Sequence, residues 1–258
     1  METIQAWMNA MASEGLALST MRSRQSTVSS LCSWLVKRGV LAVNPGARLD
    51  RPPHRKDTPP QVPGPQLMDR LIKTARERKR SRDIALFLVL RFTGMRRESV
   101  ATLRVRNIAP EWGLRGVVVK GGKTRDIPLP TVVTQFLGQY VENVVGKENG
   151  PVTPDTPLFW SSWGRPRQGK ARAPMTGKNL WRLCKTYGRL IGYPQLKPHD
   201  LRHGVAMELY TQHHDLEPVR ALLGHVRLET TQVYARIQPR QLKEAVNFYE
   251  SRALEVLS

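Results

Sequence analysis

The run His199-Asp200-Leu201-Arg202-His203, followed by Gly224-His225 and then Tyr234, brings imidazoles, a guanidinium and a phenol close together in the chain. Histidine exchanges protons near neutral pH, and arginine keeps its charge while its planar fork donates two hydrogen bonds to phosphate oxygens. A phenol can act as an oxygen nucleophile. Breaking a phosphodiester without a metal needs a nucleophile, cations for the phosphorane charge and a proton for the departing oxygen. Arg96, directly after Phe92-Thr93-Gly94-Met95, and Lys120, directly before Gly121-Gly122, add a second guanidinium and an ammonium. Arg202 follows His199 at i+3, which places both on one face of a helix.

Duller readings compete for the same residues. His199 and His203 stand at i and i+4, a spacing that also suits zinc. Arg202 between them would set a cation beside the metal, and no third ligand is evident, so neither metal nor cofactor is expected and His203 reads as a structural hydrogen-bonding residue. Lys123 competes with Lys120 on one hairpin. Tyr234 would be an ordinary core aromatic, except that it follows the polar stretch Glu229-Thr230-Thr231-Gln232, where packing makes no obvious demand. His213 and His214 read as solvated residues at a helix end.

Charge points to the partner. The 258 residues carry 41 Lys and Arg against 21 Asp and Glu, a formal net charge of +20. Such an excess sets up a positive field that attracts a polyanion, DNA or RNA above all. The basic residues are spread along the chain rather than gathered in a tail, so the field belongs to folded surfaces. Cys32 and Cys184 lie far apart and form no CxxC pair, which fits packing cysteines in a reducing compartment. No apolar run approaches the ~18 residues of a membrane helix, and the polar N-terminus is unlike a signal peptide. The expectation is a DNA-associated cytoplasmic protein with no membrane partner.

The elements that must hold these residues can be read from periodicity. Ile4, Trp7, Met8 and Met11 predict a helix over 2–13, and Met21, Val28, Leu31 and Leu35 form the stripe of a second over about 19–38 with Gly39 as its stop. Arg22, Arg24 and Lys37 occupy its other face. From Asn44-Pro45 to Pro65 the chain is proline-rich and basic, which predicts an extended, exposed linker. The division is therefore 1–50 as a small helical domain, 51–64 as linker and 65–258 as a larger domain. Within the latter, helices are predicted over 65–79, 81–92, 95–104, 130–145, 176–191, 199–212, 215–223, 229–235 and 239–255. The second of these is apolar nearly all round and belongs in a core. Gly116–Val119 and Arg125–Leu129 read as a hairpin around Gly121-Gly122. The fold class is α+β and mainly helical: a small N-terminal helical domain, then helices with a small antiparallel sheet.

Five motifs in order, Thr93-Gly94-Met95-Arg96-Arg97, Lys120-Gly121-Gly122-Lys123-Thr124-Arg125, His199-Asp200-Leu201-Arg202-His203, Leu222-Leu223-Gly224-His225 and Tyr234, resemble those of the tyrosine recombinases, or phage integrases. Any one alone would be weak; five in register over about 65–240 are specific. The resemblance implies a site-specific recombinase in which Tyr234 attacks the scissile phosphate, leaving a 3′-phosphotyrosyl bond and a free 5′-hydroxyl. Arg96 and Arg202 would clamp the non-bridging oxygens, and Lys120 would protonate the leaving oxygen. His199 would serve as acid or base, and His225 would hydrogen-bond the phosphate. It also implies double-stranded DNA held in a C-shaped clamp, with a core-type DNA-binding role for 1–50. A homo-tetramer on two sites, a Holliday junction, an accessory directionality factor and service to a mobile element complete the expectation. The segment past Pro239 would dock on a neighbouring protomer.

The sequence also departs from the family pattern. Many members carry an acidic residue three places after the first arginine, whereas here that place is Ser99, so either Glu98 substitutes or the site works without the carboxylate. Residues 1–50 are short for the family's core-binding domain, as in a compact member or one with a shortened N-terminus. Two alternatives stand beside the recombinase: a type IB-like topoisomerase, and a catalytically silent DNA-binding regulator with the same fold.

Overall fold

The computed structural model describes residues 2–47, 49, 64–149, 151–161 and 173–224. The chain divides into two compact units, Met1–Pro60 and Gln61–Ser258. The predicted linker 51–64 lies almost wholly outside the described residues, as do His225, Tyr234 and the helices expected over 229–235 and 239–255.

The first unit holds α1 (Glu2–Ser13) and α2 (Leu18–Lys37). Met8, Met11 and Met21 make its small core, with Trp7 and Leu16 packed against them. The predicted stripe of α2 is rotated. Met21, Gln25 and Cys32 are the buried positions, whereas Leu31 is 56% exposed and Trp34 52%. Among the described residues one narrow face is covered, and it follows i, i+4 and i+11 from Met21 rather than the apolar residues alone. On the turn after α2, Asn44 donates to the Ser29 carbonyl (3.0 Å) and Ser33 Oγ (2.7 Å).

The second unit is built around α4 (Ser81–Thr93), whose Ala85, Leu86, Phe87, Val89 and Leu90 are all at most 2% exposed. This is the all-round apolar helix of the sequence. Around it lie α3 (Pro65–Glu77), α6 (Thr131–Tyr140), α8 (Gly177–Leu190) and α9 (Pro198–His213). Arg91 of α4 forks onto Glu208 of α9 (2.5 and 2.9 Å) and reaches Asp69 of α3 (3.2 Å), so one guanidinium orients three helices. On the other side Tyr187 of α8 donates to the buried carboxylate of Asp83 (2.9 Å), which Arg82 also contacts. Tyr140 closes the core by donating to the Leu158 carbonyl (3.0 Å) and stacking on Trp160.

A three-stranded antiparallel sheet, β1 (Ile108–Ala109), β2 (Gly113–Val118) and β3 (Thr124–Pro128), covers one flank. The predicted hairpin is β2–β3, while β1 is too short to carry a periodic signal. The helix expected over 95–104 is only α5 (Arg97–Ala101), because Gly94 turns left-handed (φ +56) and Arg96 is extended at its N-cap. The helix expected over 130–145 ends as α-helix at Tyr140, runs through a π-helical turn, Val141–Val145, and continues as the short α7 (Gly146–Asn149). Cys32 and Cys184 are both free and buried, and burial pushes the Cys184 thiol up to about 12. Among the described residues no helix is long and apolar enough to cross a membrane.

Candidate active site

The site forms where the turn after α4, the first turns of α9 and the end of α10 (Leu216–Leu223) converge. Thr93 locks the turn by donating to the Val89 carbonyl (2.6 Å) and accepting from the Met95 amide (3.2 Å). Gly94 then lies so close to α10 that a Cβ there would stand 2.7 Å from Leu223 Cδ2, so the positive φ and the close packing both require glycine. The next residues, Met95 and Arg96, are carried out over the head of α9.

Helix α9 starts with Pro198 at its first position, and Asp200 caps it by accepting from the Lys197 amide (2.8 Å). Asp200 thus has a folding role in the motif, satisfying a backbone donor just ahead of the helix. Arg202, one turn into α9, is only 4% exposed. Its Nη1 donates to the Gly94 carbonyl (2.6 Å) and its Nη2 to the Leu223 carbonyl (2.9 Å). A buried guanidinium needs such partners, and here they are the carbonyls of the two corners it joins.

Met95, Arg96, Glu98, Trp181, Lys197, His199 and Arg202 line one open cleft of about 400 Å³. Among the described residues Arg96 makes no side-chain hydrogen bond, and its charge acts on both His199 and Arg125. Burial and the charges of Arg202 and Arg96, opposed by Asp200, hold the His199 pKa below the ordinary imidazole range. A neutral ring at pH 7 can accept a proton. His203 packs edge-on against His199, ring centres 4.4 Å apart, and burial together with His199 brings its pKa down to about 4. Histidines 213 and 214 are exposed, and His214 takes the left-handed C-cap of α9.

The structure thus brings Arg96, His199 and Arg202 to one cleft. Lys120 and Lys123 are both exposed at the β2–β3 turn, and His225 and Tyr234 lie outside the described residues. Ser99 is buried (6%) and faces a separate groove with Arg104 and Met175. Glu98 lines the same cleft as Arg202. It pairs with Arg97 (2.9 Å) and lies against Gly177 at the head of α8, near the positive end of that helix.

Arg125 closes the second motif and has no part in the chemistry that the motifs imply. It crosses from β3 to donate an Nη2 hydrogen bond to the Ala221 carbonyl in the last turn of α10, and its guanidinium lies over Gly224. The available signal was strand alternation: Arg125 shares a sheet face with Ile127, which is buried.

The profile of the phage integrase family matches residues 65–241, which contain all five motifs. The chain therefore belongs to the phage integrase family and is a tyrosine-type site-specific DNA recombinase. It is 29% identical to the tyrosine recombinase XerC of Mycobacterium sp. (strain KMS) over 252 residues, covering 93% of this chain and 79% of that protein. With the tyrosine recombinase XerD of Staphylococcus haemolyticus it shares 28% over 255 residues, 98% of this chain and 83% of the relative. The XerH recombinase bound to its difH substrate superposes with a TM-score of 0.68 at 21% identity, covering 96% of this chain and 70% of that one. A lambda integrase dimer on a core site gives 0.62 at 18% identity, with 91% and 63% covered. At these identities the superpositions establish the fold: a mainly helical chain with a small antiparallel sheet.

Proposed function

We propose that the chain cuts and rejoins double-stranded DNA through a 3′-phosphotyrosyl intermediate, acting as a homo-tetramer on two sites and passing through a Holliday junction. The observation that carries this reading is the convergence of Arg96, His199 and Arg202 in one cleft, on corners fixed by backbone hydrogen bonds. In this reaction the Tyr234 oxygen bonds to the scissile phosphorus while the bond to the 5′ oxygen breaks. His199, neutral at pH 7, takes the phenolic proton. Arg96 and Arg202 stabilise the charge on the non-bridging oxygens, and Lys120 delivers a proton to the leaving 5′ oxygen.

The energy of the broken bond is kept in the phosphotyrosine, so rejoining needs no ATP. Arg202 is held on its two carbonyls before any substrate arrives, and such preorganisation means no reorganisation cost at the moment of reaction. His225 hydrogen-bonds the same phosphate, residues 1–50 bind DNA as a core-type domain, 51–64 link the units and 65–258 carry out catalysis. The segment past Pro239 docks on a neighbouring protomer.

The test is strand exchange between two separate duplexes bearing a candidate site, with the four-way intermediate trapped on native gels. Joint molecules and a four-way species are the expected products. Supercoil removal without joining would favour the topoisomerase alternative, and binding without cleavage the silent regulator.

A further inference from the structure

Arg125 occupies an unusual register position. It lies directly across from Val117 in the β2–β3 ladder, one pair from the end of that ladder at Val118 and Thr124. Directly opposed residues of an antiparallel pair share a face, and Val117 is 1% exposed, so Arg125 leaves the sheet on its core side. There its Nη2 hydrogen-bonds the Ala221 carbonyl, and its guanidinium fills the space over Gly224 that a Cβ would otherwise occupy. The left-handed φ of Gly224 (+66°) ends α10 at that point. The carbonyl end of a helix carries partial negative charge, and here two guanidiniums, Arg125 on Ala221 and Arg202 on Leu223, meet it.

The two attachments differ in what they join. Arg202 ties α10 to the Gly94 corner, whereas Arg125 ties α10 to the hairpin. Beyond Val118 the hairpin is a turn with Gly121 and Gly122 at positive φ, and a Cβ on either glycine would meet nothing within 4 Å. Lys120 sits on that tip, roughly 10 Å along the strand from the Val117 level at about 3.3 Å per residue. Its position relative to the cleft depends on how the hairpin is angled against α10.

We propose that Arg125 is a positioning residue that fixes the β2–β3 hairpin to the end of α10, so that Lys120 reaches the phosphate held by Arg96 and Arg202. This rests on the roles proposed above for those residues and for Tyr234. Its specific content is that losing Arg125 impairs protonation of the leaving oxygen more than attack or charge stabilisation.

The experiment compares two suicide substrates in single-turnover adduct formation. In one, the scissile link has its normal 5′ oxygen; in the other, sulfur replaces that bridging atom. A thiolate, with a pKa of about 8.5 for an ordinary thiol, leaves without being protonated. On the oxygen substrate Arg125→Gln is expected to slow cleavage on the order of 10²-fold, a typical general-acid contribution. On the sulfur substrate it should return to within about tenfold of the unaltered protein, as Lys120→Ala should.

Arg202→Ala, removing charge stabilisation, should stay slow on both. Arg125→Lys, which keeps the charge but loses the fork, should show the same sulfur rescue from a smaller defect. It also serves as the measure if Arg125→Gln fails to fold. An undiminished rate on oxygen, or a defect that sulfur does not relieve, overturns the proposal. No adduct from the unaltered protein on either substrate would instead refute the phosphotyrosyl reading itself.

Discussion

Replacing Gly224 by alanine perturbs one corner in two separable ways. The residue has φ +66, where an L side chain costs about 1 kcal/mol. A Cβ would also displace the Arg125 guanidinium and break its hydrogen bond to the Ala221 carbonyl. A charge-assisted bond of this kind, discounted for partial exposure, contributes about 1 kcal/mol. The sum of about 2 kcal/mol lowers the melting temperature of a unit of this size by roughly 4–8 °C.

A double-mutant cycle with Arg125→Ala, followed by thermal melting monitored calorimetrically, separates the two parts. In the Arg125→Ala background Gly224→Ala should cost only the backbone part, leaving a coupling of about 1 kcal/mol. Equal destabilisation in both backgrounds would show that Arg125 and Gly224 do not interact, and the geometry of this corner would be wrong.

Further outcomes follow from the same geometry. Arg202→Ala removes a buried cation from two carbonyls, and the stranded acceptors should destabilise the protein by about 3 kcal/mol, seen in urea melts; a neutral effect would contradict its structural role. The His203 pKa is lowered to about 4, so between its unfolded range near 6.5 and that value the unfolded chain binds the extra proton. Stability from this group is therefore complete above about pH 6.5 and lost as pH falls toward 4, and His203→Asn should flatten the melting-temperature profile over that window. DNA affinity should fall steeply between low and moderate salt as counterions return to the phosphates, and a flat titration would exclude phosphate-dominated binding. Deleting 240–258 should weaken cooperative DNA binding and synapsis, and unchanged synapsis would remove that segment from the assembly.

The helical frame was legible where one face or the whole surface was apolar, as in α4, and where punctuation was strong, as at Gly39 just past α2. It was less legible where tertiary packing chose the face. Gln25 is buried on α2 while Leu31 and Trp34 stay exposed, because among the described residues packing covers one narrow stripe of the helix. Two-residue β1 and the π-helical turn after Tyr140 leave no periodic signal. The site residues were legible by type, yet Asp200 proved to be a helix cap and Arg202 a buried brace as well as a candidate phosphate ligand. Arg125 was hidden because its importance depends on a long-range partner, the end of α10, which strand alternation alone does not name.

In the proposed reaction Tyr234 becomes joined to a DNA 3′ end. A nicked suicide substrate labelled in the strand segment 5′ of the scissile phosphate, whose 3′ end becomes joined, digested with trypsin after trapping and sequenced by mass spectrometry, tests it directly. One nucleotide-bearing peptide is expected, modified at Tyr234 and linked through a 3′ phosphate, with no adduct from Tyr234→Phe. An adduct on any other residue, a 5′ linkage, or an adduct that survives Tyr234→Phe would contradict it.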